Sequence, residues 1–169
     1  MDAQTLREAQ SPFKQRYRDE PDAALITLVA DGSLDGADVT CSVQTGQALV
    51  AAGLHPATGG DGSAACSGDM LLQALVACAG VTFRAVATSL GLDVGGTTLH
   101  AEGDLDFRGT LGVDKQAPVG FTDIRLRLDL DPGSTLTAEE QATLLRLTER
   151  YCVVLQTLRR TPTTSASIG

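Results

Sequence analysis

The chain has 169 residues, of which 43% are hydrophobic, and carries a formal net charge of −8. This length suits one domain with a substantial core, so we expect an N-terminal arm over residues 1–20 and a single domain over residues 21–169. The negative charge argues against a nucleic-acid partner, which needs a basic face to displace counterions from phosphates. The polar, charged first residues predict neither a secretory signal nor a membrane anchor, and we expect a cytoplasmic protein.

The first half of the chain predicts three strands and a long helix. Ala24–Ala30 is rich in strand-forming residues, and Asp31–Ser33 is expected to be a turn after it. Val39–Val43 and Gln47–Ala51 predict two further strands of an antiparallel meander. A helix is expected from Ser67, as its N-cap, to just before Gly91.

That helix is apolar on nearly all sides. Its most apolar stretch, Met70–Phe83, contains Gln73 and is too short to span a bilayer, so no membrane partner is expected. We therefore predict a helix buried on most sides, at the centre of the domain or at a subunit interface. Because one small sheet cannot cover so many apolar faces, we expect a homodimer with Cys78 close to its interface.

The second half predicts two strands, a second helix and a final strand. Alternating apolar residues predict strands over Thr98–Phe107 and Ile124–Leu130. Thr137–Glu140 is a capping box that opens a helix reaching Leu158, although the pattern does not show whether this helix breaks near Cys152. Thr163–Ile168 could add an edge strand. The order β-β-β-α-β-β-α-β predicts an α+β domain.

Four cysteines are the main chemical feature: Cys41, Cys66, Cys78 and Cys152. Without a secretory signal they are expected to be reduced thiols rather than a disulfide framework. None of them pairs with another cysteine or a histidine at the two- to four-residue spacing of a zinc site, so we expect no metal and no other cofactor. Cys78 and Cys152 both lie in apolar, helix-forming stretches, where a thiol is either a small core residue or a redox centre.

The sequence around Cys78 carries a family resemblance. Gly59–Gly62, Asp69–Leu75 and Ala77–Cys78, followed by Val86–Ala87 and Leu90–Leu92, resemble the OsmC/Ohr family of thiol peroxidases. The resemblance implies an OsmC-like fold of antiparallel sheets around a central helix, and a homodimer that reduces organic hydroperoxides with a dithiol reductant. It also implies that Cys78 is the peroxidatic cysteine and Cys152 the resolving one, leaving Cys41 and Cys66 without a role.

The activating groups depart from the family pattern. A peroxidatic cysteine reacts as the thiolate, so a charge or hydrogen-bond donor must lower its pKa. The family's peroxidases use an N-terminal Arg, for which Arg16 and Arg18 are the candidates here, and a Glu before the Gly-rich loop. The matching stretch, residues 54–58, has no Glu, so His55 or Asp61 is the candidate substitute.

Two other functions remain open from the residues alone. The chain could be a non-catalytic family member that binds an apolar ligand or partner, with its cysteines only as packing. It could also be a thiol redox sensor that uses the same two cysteines.

Overall fold

The computed structural model of the chain describes residues 2–5, 8, 19, 31–33, 40–45, 48–112 and 114–169. The predicted strand Ala24–Ala30 and the candidate cations Arg16 and Arg18 lie outside the described residues.

The described elements form an α+β protein, as the sequence predicts. In chain order they are β1 (Asp31–Ser33), β2 (Thr40–Thr45), β3 (Ala48–Gly53), a 3₁₀ turn (Pro56–Thr58), β4 (Ala65–Cys66), α1 (Ser67–Leu90), β5 (Thr98–Leu105), α2 (Phe107–Thr110), β6 (Phe121–Asp129), α3 (Ala138–Tyr151) and α4 (Val153–Arg159).

The four-stranded sheet has the order β1-β2-β3-β4. Strands β1, β2 and β3 pair antiparallel, and β4 joins β3 in parallel. This confirms the two predicted strands of the hairpin, in which Thr40 pairs with Gly53 and Thr45 with Ala48. The predicted turn at Asp31–Ser33 is wrong, because these residues pair with Ser42–Gln44 of β2 as a strand. Pairing with a neighbouring strand overrides the local turn preference of Asp-Gly.

The chain forms two compact units. The first comprises Met1–Phe13, Ala74–His100 and Arg127–Gly169, and the second comprises Lys14–Gln73 and Ala101–Leu126. The first unit contains a hydrophobic cluster in which Phe83 and Ala87 of α1 pack with Val94 and Leu144. The second unit contains the four-stranded sheet, the Gly-rich loop and the facing ends of β5 and β6, which pair with each other in a two-stranded sheet.

Helix α1 ends where the sequence predicts. Gly91 adopts a φ of 70°, a left-handed conformation that glycine takes without strain. It donates its N–H to Thr88 O at 3.2 Å, and Leu92 donates to Ala87 O at 2.9 Å. This pair of bonds is a Schellman motif, which satisfies the last carbonyls of the helix.

Within the single chain, α1 is buried along one face, and its predicted burial at a subunit interface stays a prediction. Its buried residues form one stripe at four-residue intervals, Leu75, Ala79, Phe83 and Ala87, while Val81 on another face is 72% exposed. An 18-residue window within its 24 residues has a mean hydropathy of 1.7, so α1 meets the length and composition of a membrane span, a test that the core helix of a soluble protein also passes. Phe83 and Ala87 of this stripe pack with Leu144 in the core cluster, as expected of a domain's core helix.

Two strand predictions differ from the structure, one at the end of β5 and one in the C-terminal tail. The strand predicted to reach Phe107 stops at Leu105, because the Asp106 side chain accepts the Arg108 N–H at 3.0 Å and caps the short helix α2. The predicted edge strand Thr163–Ile168 is absent, and residues 161–169 are exposed without regular structure. With no alternating buried face, nothing fixes this tail as a strand.

The capping box of α3 is confirmed. Thr137 N donates to the Glu140 carboxylate at 2.8 Å, and Glu140 N donates to Thr137 Oγ1 at 3.3 Å. Within the same helix Leu144 and Thr148 are buried, and Cys152 follows at its end. These residues repeat every four positions, so one face of α3 turns toward the core.

Thr148 provides a test of this packing. Its side chain is 1% exposed, and its Oγ1 has no hydrogen-bond partner among the described residues. We expect Thr148→Val to raise the free energy of unfolding by about 1 kcal/mol, because it removes an unsatisfied buried hydroxyl and keeps the shape. Urea denaturation measures this, with Thr148→Ala, which leaves a cavity, expected to lower the stability. A loss of stability in Thr148→Val would show that the hydroxyl has a partner.

Candidate active site

Cys78 lies in the middle of α1, one turn before Thr82, and its side chain is half-buried. Thr82 Oγ1 donates to the Cys78 carbonyl at 2.8 Å, a bond between residues four apart on one helix face. The predicted stripe that joins Cys78 to Leu75 and Thr82 is therefore present. It aims the thiol in one direction from the helix.

Cys152 lies where the second predicted helix breaks. Helix α3 ends at Tyr151 and α4 begins at Val153, with a φ of −72° and a ψ of 108° at Cys152 between them. The Cys152 N–H still donates to Thr148 O at 2.9 Å, so the residue completes α3. Its extended ψ then turns the following amides away from the axis of α3. The first N–H groups of a helix have no partner within it, and at α4 these belong to Val153 and Val154.

These amides face the sulfur of Cys78. Burial disfavours the Cys78 thiolate, but hydrogen bonds from the Val154 N–H, the Cys152 thiol and the Val153 N–H outweigh it, with a smaller contribution from the Thr82 hydroxyl. Together they hold the pKa of Cys78 below its ordinary value. Hydrogen bonds to the charged form are one of the three ways in which a protein lowers a thiol pKa.

The pKa of Cys152 is shifted in the opposite direction, upward. Its side chain is 0% exposed, and burial raises its pKa, with a further increase from the Cys78 thiolate beside it. The Leu155 and Val154 N–H groups only partly offset these effects. Between the two pKa values the negative charge therefore lies on Cys78, and the proton lies on Cys152 and points to Cys78.

The structure thus brings together the two cysteines proposed from the sequence. Both lie in the first unit, and each contributes to the ionisation of the other. The roles of Arg16 and Arg18 remain predictions, since both lie outside the described residues.

His55 and Asp61 belong to the second unit and carry local contacts. His55 Nδ1 accepts the Ala57 N–H at 3.0 Å, and its ring stacks on Phe107 with centroids 5.1 Å apart. Asp61 accepts the N–H and hydroxyl of Ser63 at 2.8 and 2.6 Å, and these bonds lower its pKa. Both side chains therefore have a function in shaping the Gly-rich loop, and a role toward Cys78 stays a prediction.

The sequence missed the most direct donors to Cys78. Backbone amides carry no sequence signature, and Val153 and Val154 look like ordinary apolar helix residues. The only available signal was the pair of β-branched valines after Cys152, which is a weak sign of a helix interruption.

Two other observations concern alternative sites, a metal centre and Cys66. Among the residues that the structure describes, no group of three His, Cys, Asp or Glu side chains is placed to hold a metal ion. Cys66, in the second unit, lines a cavity of about 330 Å³ with His55, Phe107 and Phe121. The pair formed by Cys78 and Cys152 is the candidate site.

The chain is similar to known proteins over most of its length. A family model described as OsmC-like protein matches residues 60–167, more than half of the chain and both cysteines of the pair. No curated protein sequence matches the chain significantly.

Solved structures share the fold at low sequence identity. An OsmC-like protein from Mycoplasma pneumoniae has a TM-score of 0.66 at 16% identity, over 80% of this chain and 89% of that one. An organic hydroperoxide resistance protein from Elizabethkingia anophelis has a TM-score of 0.64 at 18% identity, over 82% and 91%. A third, organic hydroperoxide resistance protein OsmC from Legionella pneumophila, has a TM-score of 0.61 at 18% identity, over 81% and 92%. With the match of the family model, these structures establish that the chain belongs to the OsmC-like protein family.

Proposed function

We propose that this protein is a thiol peroxidase that reduces organic hydroperoxides, with Cys78 as the peroxidatic and Cys152 as the resolving cysteine. The observation that carries the proposal is the opposite direction of the two pKa shifts in neighbouring thiols. Two cysteines that serve only as packing do not require opposite pKa shifts. A two-thiol catalyst requires one thiolate that attacks the peroxide and one thiol that then forms the disulfide. The relatives named as hydroperoxide resistance proteins support the same chemistry.

The first step oxidises Cys78. Its thiolate attacks the outer oxygen of the hydroperoxide, an S–O bond forms, and the O–O bond breaks. The alkoxide leaves with the electron pair of that bond and takes the proton of Cys152, which points to the reacting sulfur. The products are an alcohol, Cys78 sulfenic acid and a Cys152 thiolate.

The second step forms a disulfide. The Cys152 thiolate attacks the sulfur of the sulfenic acid, the S–S bond forms, and hydroxide leaves to become water with a proton from solvent. A dithiol reductant then exchanges with the disulfide, supplies two electrons and two protons, and is itself oxidised to a disulfide. This cycle protects Cys78 from further oxidation, and a cytoplasm that keeps thiols reduced would maintain it.

The exposed apolar residues support a homodimer. Val81 of α1 is 72% exposed, and Tyr151 and Val153, which flank the buried Cys152, are 58% and 69% exposed. A second copy that covered these residues would shield the cysteine pair from water and offer an apolar wall to the organic part of the substrate.

Turnover tests the two roles. Cys78→Ser should abolish the consumption of cumene hydroperoxide in the presence of dithiothreitol, because no thiolate attacks. Cys152→Ser, assayed without dithiothreitol because that thiol reduces sulfenic acid directly, should reduce about one equivalent per site and accumulate a dimedone-reactive sulfenic acid on Cys78. Cys66→Ser is the matched control and should stay within a few-fold of the parent. A parent that consumes only one equivalent with excess dithiothreitol would be a sensor, and one that consumes none would contain packing cysteines.

Alkylation tests the ionisation of the pair. Because its pKa is lowered, Cys78 keeps a larger thiolate fraction as the pH falls, and because its pKa is raised, Cys152 loses its thiolate first. Iodoacetamide should therefore label Cys78 faster than Cys152 at neutral pH, as measured by peptide mass spectrometry. Equal labelling rates would contradict the assignment.

The same assay tests the N-terminal cation. If Arg16 or Arg18 contributes to the site, Arg16→Gln or Arg18→Gln should move the Cys78 profile to higher pH, because a cation favours the thiolate. Arg7→Gln, in the same arm, is the control. Superimposable profiles for all three variants would leave the amides and the Cys152 thiol as the activating groups.

Light scattering tests the homodimer. The parent should have twice the mass of the chain at micromolar concentration, and Val81→Glu should shift it toward the monomer, since it would place a charge in the interface. Arg84→Glu, also on exposed α1 surface, is the control for a change of charge. A monomeric parent would contradict the proposal.

A further inference from the structure

The helix break at Cys152 rearranges the backbone hydrogen bonds of the residues around it. In an uninterrupted helix the Val153 N–H would donate to the Glu149 carbonyl, four residues earlier. The break instead turns this N–H to the Cys78 sulfur. It therefore supplies a donor to the thiolate and, at the same time, deprives Glu149 O of its helical partner.

The Gln156 side chain replaces the missing donor. Its Nε2 donates to Glu149 O at 2.6 Å, across the break and seven residues back along the chain. The bond is partly buried, where an unpaired carbonyl is costly. The Gln156 backbone N–H donates to Cys152 O at 2.9 Å, so this one residue satisfies two carbonyls at the break.

A second contact spans the same break. Arg159 pairs with the Glu149 carboxylate at 2.6 Å, but both side chains are well exposed, and such pairs contribute little. The charged groups around the break line an open cavity of about 550 Å³ and are Arg146, Glu149, Arg150, Arg159 and Arg160. The neutral amide of Gln156 is therefore the main candidate for holding the break.

We infer that Gln156 is a positioning residue for the thiol site. By occupying the Glu149 carbonyl it removes the bond that would straighten the helix, and so keeps the Val153 and Val154 N–H groups on the Cys78 sulfur. Without it, the lowest-energy partner for Glu149 O is again the Val153 N–H, and the thiolate loses a donor. This role adds to the proposed function. Only its consequence for peroxide turnover rests on that function.

The experiment removes the amide without changing charge or length. Gln156→Met is compared with Gln141→Met, because Gln141 Nε2 makes a similar bond, to Leu136 O at 2.9 Å, at the far end of α3. The readout is the rate of Cys78 alkylation against pH, followed by peptide mass spectrometry on the full chain. Gln156→Glu, whose carboxylate cannot donate to a carbonyl, replaces Gln156→Met if that variant folds poorly.

We expect Gln156→Met to slow the alkylation of Cys78 at neutral pH about five-fold, the factor of one hydrogen bond of ~1 kcal/mol, and to move its profile to higher pH. Gln141→Met should follow the parent. A parental profile for Gln156→Met, or equal slowing in both variants, would overturn the inference. The assay needs no peroxide, so a shifted profile in a protein without peroxide turnover would uphold the inference and refute the proposed function alone.

Discussion

The helix break at Cys152 is the constraint on which the rest of the site depends. A thiolate in the middle of α1 is far from the amides at the start of its own helix, so that helix cannot stabilise it. The break provides a second helix start, at Val153, beside the sulfur. It also fixes Cys152 as the C-cap of α3, with its thiol directed to Cys78. One backbone rotation therefore places both the donors and the second sulfur.

The difference between the two cysteines arises from their surroundings rather than from their chemistry. Burial disfavours the thiolate at both positions. Cys78 receives the Val153 and Val154 amides and the Cys152 proton, whereas Cys152 faces the developing charge of Cys78. Because the net effect of these contacts lowers the pKa of Cys78 and raises that of Cys152, they support the proposed assignment of attacking and resolving thiol. If the helix that contains Cys152 ran on without a break, the two thiols would lack this distinction.

The sequence predicts the features that neighbouring residues determine. The Thr137–Glu140 capping box, the end of α1 at Gly91 and the β2–β3 hairpin each depend on a few adjacent residues, and the structure confirms them. Features that need a distant partner were missed. Asp31–Ser33 becomes a strand because β2 lies beside it, and the break at Cys152 is bridged by the Gln156 side chain, which bonds Glu149 O seven residues earlier. His55 and Asp61 are a further case, since the loop composition shows polar side chains but not the Ala57 and Ser63 groups that they bond.

The chemistry of the donors bears on the substrate. The main described donors to the Cys78 sulfur are two amides and the Cys152 thiol, all of them neutral. A cation in a half-buried site must itself be desolvated, at a cost that an amide already fixed in a helix does not incur. Neutral donors also leave the surroundings apolar, because no counterion has to be accommodated. In the function that we propose, such a site would stabilise a single negative charge on sulfur and still accept the hydrocarbon part of an organic hydroperoxide, whose burial would contribute to binding in a way that hydrogen peroxide cannot match.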